Sequence, residues 1–252
     1  MTTRRLGPLE YLEYVAVGTG TPVTVFGHGL GSGIAETRPL GSGVTGTKVF
    51  PHFRGHGGSA ARPAAEGGYA ALAGDLEAVA DEVGASRAVG VSMGAGALCR
   101  LLAARPDRFE RLVFFLPAVL DEPRPPSDRL GAGEEELRRR IDAELPAGFR
   151  DRPEGRAYRD ARAATLASPG VRAVAEALSG DVAVPDLAAL AAVTAPALVV
   201  GARGDRLHPL PIAERLAAAL PDAELAVFDR PVPLITARAQ VRSLMTGFLN
   251  GA

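Results

Sequence analysis

Residues 87–103 read RAVGVSMGAGALCRLLA, and the fold is read outward from them. Ala88–Val91 is a short apolar β-type run. From Met93 to Ala104 apolar residues recur at helical spacing and stop before Pro106. The junction, Gly90-Val91-Ser92-Met93-Gly94, is a G-x-S-x-G. In a strand–turn–helix context this motif places a serine on a sharp bend, its hydroxyl exposed at the end of a central strand. Gly90 and Gly94 leave room for close backbone packing, and the helix N-terminus behind Ser92 favours developing negative charge.

Outward from this unit, β-type runs alternate with helical patterns. Strands are predicted at Val23–Phe26, Thr47–Phe50, Ala88–Val91, Arg111–Phe115, Ala197–Gly201 and Leu225–Phe228, with Leu9–Val17 supplying an antiparallel edge strand or pair. Helices are predicted over Tyr69–Val83, Met93–Ala104, Ile212–Leu220 and Gln240–Leu249. The alternation predicts an α/β fold with a mostly parallel central sheet flanked by helices. Residues 121–185 break the pattern. They open with DEPRPPSD, carry no strand signal, and contain GEEELRRRIDAEL, where Glu134, Glu135 and Glu136 face Arg138, Arg139 and Arg140 at i,i+4. Leu137, Ile141 and Leu145 form the apolar stripe of that helix. The expected division is a core of residues 1–120 and 186–252 with a helical cap insert at 121–185.

Bulk composition narrows the function classes. The chain has 252 residues, 47% hydrophobic and 23% charged, with a net charge of −1. One large domain with an insert fits that length, and the charge balance gives no footprint for nucleic acid. The N-terminal charges are not followed by an apolar core, and no run of about 18 apolar residues occurs, so neither a signal peptide nor a membrane span is expected. A cytoplasmic location is the default expectation. Cys99 is the sole cysteine, which excludes an intrachain disulfide, and its apolar helical surroundings suit a buried thiol. No Cys/His cluster has zinc-ligand spacing, and no dinucleotide fingerprint occurs. No metal or cofactor is expected. The expected partner is a small-molecule substrate, and the oligomeric state is open.

A second motif, His28-Gly29-Leu30-Gly31, directly follows VTVFG. A strand delivers the chain into a Gly-rich turn whose N–H groups can face an oxyanion; a phosphate loop is disfavoured because no G-K-[ST] follows. The N–H groups of Leu30 and Met93 are the expected oxyanion hole.

HGLG, FRGHGGS at Phe53–Ser59, GVSMG, and LVVGARGD ending at Asp205 together resemble the α/β-hydrolase superfamily in order and spacing, over nearly the whole chain and least over the insert. The likeness is to bacterial esterases, lactonases and related small-molecule hydrolases. The resemblance implies Ser92 as nucleophile, Asp205 as acid, and Leu30 and Met93 as oxyanion donors. Asp121, after VFFLPAVL, is the second candidate acid, since some members place it after that earlier strand.

The resemblance also implies a histidine after the last strand. That loop reads Phe228-Asp229-Arg230-Pro231-Val232-Pro233-Leu234, with Pro231 at the expected position, and no histidine follows His208. A serine hydroxyl needs a base to take its proton. His28 belongs to the oxyanion turn. His52 and His56 flank Arg54-Gly55 near the mouth of the site, and His208 lies in GDRLHP. The sequence expectation is that no histidine contacts Ser92 in the usual way, with His208 the leading substitute base and His56 behind it. Candidate substrate contacts are His28, His56, Leu137, Ile141 and Phe149. Three functions follow. The first is an atypical enzyme, biosynthetic or otherwise, that uses the oxyanion hole and Ser92 on a small carbonyl compound without a complete triad. The others are a serine hydrolase of esters, lactones or thioesters with a displaced base, and a non-catalytic binder of small ligands.

Overall fold

The computed structural model describes residues 3–7, 12–124 and 133–251. Among them, eight strands form one sheet: β1 (Thr3–Leu6), β2 (Leu12–Val17), β3 (Val23–Gly27), β4 (Thr47–Pro51), β5 (Arg87–Val91), β6 (Arg111–Phe115), β7 (Ala197–Ala202) and β8 (Ala223–Phe228). Their order is β1-β2-β4-β3-β5-β6-β7-β8. β2 runs antiparallel to β1 and to β4, and the remaining pairs are parallel. The mostly parallel sheet follows the sequence pattern. β1 was not foreseen: TRRL is an exposed edge strand with no apolar alternation to read. Of the expected Leu9–Val17 strand, residues 9–11 lie outside the described residues.

The helices are α1 (Ile34–Thr37), α2 (Tyr69–Glu82), α3 (Met93–Ala104), α4 (Glu134–Glu144), α5 (Ala147–Arg150), α6 (Pro153–Ala167), α7 (Pro169–Ala177), α8 (Leu210–Ala219), α9 (Pro233–Thr236) and α10 (Arg238–Asn250). Successive residues of a strand point to opposite faces, and here both faces are covered. Ala88, Leu112, Phe114 and Val199 pack with Leu76 of α2, Leu98 of α3 and Leu216 of α8. Val89, Val113, Phe115 and Val200 pack on the other side with Val241, Met245 and Leu249 of α10. Burial on both faces explains why these strands read as unbroken apolar runs. α8 begins at Leu210, ahead of the predicted start, because Pro211 sits in its first turn, where a missing N–H costs nothing.

Between β6 and β7 the described residues contain α4 to α7 and no strand. Leu137, Ile141 and Leu145 form a small core of their own with Ala163 of α6, against which Phe149, Tyr158, Leu166 and Ile235 pack. Glu134 pairs with Arg138 and Glu136 with Arg140 on the outer face. The proline-rich stretch beyond Arg124 lies outside the described residues.

Candidate active site

Ser92 caps the N-terminus of α3 at φ 52°, ψ −107°. A non-glycine residue at positive φ costs of order 1–3 kcal/mol and persists only where its surroundings impose it. Here the Ser92 N–H donates to the Phe115 carbonyl (3.0 Å), and the Gly94 N–H to the His28 carbonyl (3.1 Å). The two glycines of the motif are steric necessities. A Cβ on Gly90 would stand 2.5 Å from the Gly94 carbonyl oxygen, and one on Gly94 would stand 2.5 Å from that of Gly27. The Ser92 hydroxyl makes no capping bond to its own helix, which leaves it free to point elsewhere.

It meets His208. The imidazole Nε2 lies 3.0 Å from Ser92 Oγ, and Nδ1 lies 3.0 Å from Asp205 Oδ2. The expectation that no histidine contacts Ser92 is therefore corrected. Asp205 follows β7, and His208 stands three residues later, just before α8. The Asp205 Oδ1 atom accepts the N–H groups of Leu207 (2.9 Å) and His208 (3.1 Å). One carboxylate thus folds the turn with one oxygen and orients the ring with the other. Burial pushes the Asp205 carboxyl up, but the hydrogen bonds from the His208 ring and from these N–H groups outweigh it and hold it below the usual carboxylate range. With Nδ1–H donating to Asp205, Nε2 is left to accept from the serine hydroxyl.

Asp121, the alternative acid, is engaged elsewhere. Both of its oxygens lie 2.7 Å from Arg215 Nη2. The loop after β8, where the resemblance implied a histidine, passes through Val232 in the left-handed region (φ 55°) into α9. Ile235 there packs on the core of the inserted helices.

The other three histidines brace the loop facing Ser92. His28 is fully buried: Nδ1 lies 2.8 Å from the Gly29 carbonyl, and Nε2 accepts the Phe53 N–H (3.0 Å). His56 Nε2 accepts the Gly31 N–H (3.1 Å). Burial is the first cause that depresses both rings, His28 well below the ordinary histidine value and His56 to about 4. His52 bridges the Ile34 N–H and Glu13. The expectation that His28 and His56 touch substrate is corrected: both are buried behind the Gly-rich turn, and neither lines the cavity.

That turn approaches Ser92 closely, since a Cβ on Gly29 would be 3.4 Å from Ser92 Cβ. Gly31, at φ 64°, lies so near α6 that a Cβ would fall 2.3 Å from Leu166 Cδ2. Among the described residues, the N–H groups of Leu30 and Met93 donate to no protein acceptor. Both residues, with Ser92 and His208, line a cavity of about 580 Å³. Met93 is the first residue of α3, so its N–H has no intrahelical partner.

The inserted helices supply much of the opposite wall, with Leu137, Arg162, Leu166, Val171 and Leu178. Leu137, a candidate substrate contact, lines this cavity. Ile141 and Phe149 do not line the cavity; they belong to the small core behind it, because periodicity identifies a buried stripe without saying what covers it. Arg162 was missed. On a polar helix, one arginine among many carries no distinguishing signal.

The sequence profile of the serine aminopeptidase S33 family matches residues 46–231, a span that includes Ser92, Asp205 and His208. The chain belongs to this family. As an S33-family chain it has the α/β-hydrolase fold, and solved structures superpose over nearly all of it. An enol-lactonase from Burkholderia xenovorans LB400 is 21% identical with a TM-score of 0.82, covering 95% of this chain and 96% of its own. A bromoperoxidase from Bacillus anthracis is 18% identical with a TM-score of 0.81, covering 99% and 100%. A meta-cleavage product hydrolase from Pseudomonas fluorescens IP01 is 18% identical with a TM-score of 0.78, covering 95% and 94%. No curated protein matches the sequence. Three different activities on one backbone show that the likeness fixes the fold and not the reaction. Among the described residues, no helix is long and apolar enough to cross a membrane.

Proposed function

We propose that this protein is a serine hydrolase acting on an ester, lactone or thioester of a small molecule through Ser92, His208 and Asp205. The 3.0 Å contact between His208 Nε2 and Ser92 Oγ carries the reading. It supplies the base that the loop after β8 lacks, and so favours the displaced-base alternative over an enzyme without a triad. Ser92 Oγ attacks the substrate carbonyl as its proton passes to His208 Nε2. Asp205 holds Nδ1–H and stabilises the imidazolium. Negative charge on the carbonyl oxygen is met by the N–H groups of Leu30 and Met93 at the start of α3. His208 then protonates the leaving alkoxide or thiolate. Water, deprotonated by His208, attacks the acyl-enzyme; the acyl–Oγ bond breaks, His208 returns the proton to Ser92 Oγ, and the acid is released.

In this reading residues 1–120 and 186–252 are the catalytic core and residues 121–185 a cap that closes the substrate compartment. A cavity of about 580 Å³ suits a small molecule. An ester or lactone is consistent with the enol-lactonase among the structural neighbours.

The deciding experiment is labelling with a fluorophosphonate, followed by peptide mapping and a panel of short activated esters. Modification of Ser92, lost in His208→Ala, is the expected outcome. If Ser92 stays unmodified and no ester is turned over, the protein is a triad-independent enzyme or a binder of small ligands instead.

A further inference from the structure

The cavity facing Ser92 is rich in arginine. Arg124, Arg162, Arg172, Arg206 and Arg215 line it, against a single lining carboxylate, Glu122, among the described residues. Glu122 and Asp121 both pair with Arg215. Arg162 stands apart. On the same helix, Arg159 is matched by Asp142 and Asp160, whereas Arg162 has no carboxylate partner among the described residues. Its guanidinium donates only to the carbonyls of Gly31 and Leu30, both at 3.4 Å, at the long end of hydrogen-bonding range. Leu30 is also the proposed oxyanion donor, so in that reading the guanidinium contacts the backbone of the loop that receives the acyl carbonyl.

We infer that the substrate carries a carboxylate on its acyl part, which Arg162 receives. A planar guanidinium matches a carboxylate with two parallel hydrogen bonds, and Arg162, which lines the cavity without a carboxylate partner among the described residues, is the group placed to make them. The preferred substrate class is then a monoester or lactone of a short dicarboxylic acid, whose hydrolysis yields the dicarboxylate. Bond cleavage rests on the hydrolase reading above; the anion site does not.

The test separates the two. Ser92→Ala protein, which cannot turn substrate over through this serine, is titrated calorimetrically with monomethyl glutarate and with dimethyl glutarate. The monoester should bind at least about tenfold more tightly. In Ser92→Ala/Arg162→Gln the ratio should collapse towards one, and Arg162→Lys should restore it only in part. Equal affinity for the two esters, no measurable monoester binding, or a preference that survives Arg162→Gln would each overturn the inference. Because the first of these is read with Arg162 intact, a poorly folded variant does not leave the question open. Turnover of the same pair by unmodified protein reads the hydrolase proposal separately: discrimination in binding without hydrolysis keeps the anion site and removes the reaction.

Discussion

Asp205 and His208 are held together twice within one turn: the carboxylate accepts the backbone N–H of His208 at 3.1 Å and contacts its ring Nδ1 at 3.0 Å. Acid and base are thereby set by local folding rather than by the meeting of two distant loops. The ring presented to Ser92 is fixed in orientation and tautomer by a contact only three residues long in sequence.

His208→Ala should lower kcat on any ester the protein turns over by at least about a hundredfold, and His208→Gln should not restore it. Steady-state kinetics on one activated ester suffice. A loss of less than about threefold would mean that the Ser92 contact is not used as a proton path.

Asp205→Asn keeps the shape but removes the charge opposite the imidazolium, so kcat should fall by about 10²–10⁴. Asp121→Asn should change kcat by less than about twofold, since its carboxylate serves Arg215. The reverse ranking would move the acid to the end of β6.

Acid should destabilise the fold through His56. Its folded pKa is pushed down to about 4 from an ordinary value of 6.5, so between these values the unfolded chain binds the additional proton. The contribution is complete above pH 6.5 and is lost as pH falls towards 4, amounting to about 3 kcal/mol as an upper figure. His28 acts in the same direction. Urea midpoints from pH 7.5 to pH 4.5 should fall steadily. In His56→Gln, which is less stable at pH 7.5 because Gly31 N–H loses its ring acceptor, the decline should be shallower. An equal slope in both proteins would remove His56 as the cause.

Gly94→Ala should be among the most disruptive small substitutions. Its new methyl would meet the Gly27 carbonyl oxygen at 2.5 Å, a backbone atom held in the parallel pairing of β3 with β5. A loss of roughly 1–3 kcal/mol is expected, with kcat lowered as the elbow shifts. Gly74→Ala, where a Cβ meets no atom within 4 Å, should instead be neutral or slightly stabilising because alanine is the better helix former. Thermal melts of the two variants side by side test the contrast.

Much was written in the sequence itself. The β5–Ser92–α3 unit, the order of the parallel strands along the chain, the Gly-rich turn at His28–Gly31 and the stripe of α4 are local patterns. Each follows from side-chain periodicity or from the room a glycine leaves, and each stands where the pattern put it. The carboxylate after β7 was legible for the same reason. What tertiary structure alone decided were relations between segments far apart in the chain. His208 reaches Ser92 across 116 positions, because β5 and β7 flank β6 in register and deliver their loops to the same end of the sheet. Arg162 reaches Leu30 across 132 positions, because α6 packs down on Gly31. His28 and His56, polar by composition, are core residues: backbone groups meet both ring nitrogens of His28, and the Gly31 N–H meets Nε2 of His56. Periodicity records which face of an element is apolar; it does not record which distant segment that face, or the polar atom beside it, will meet.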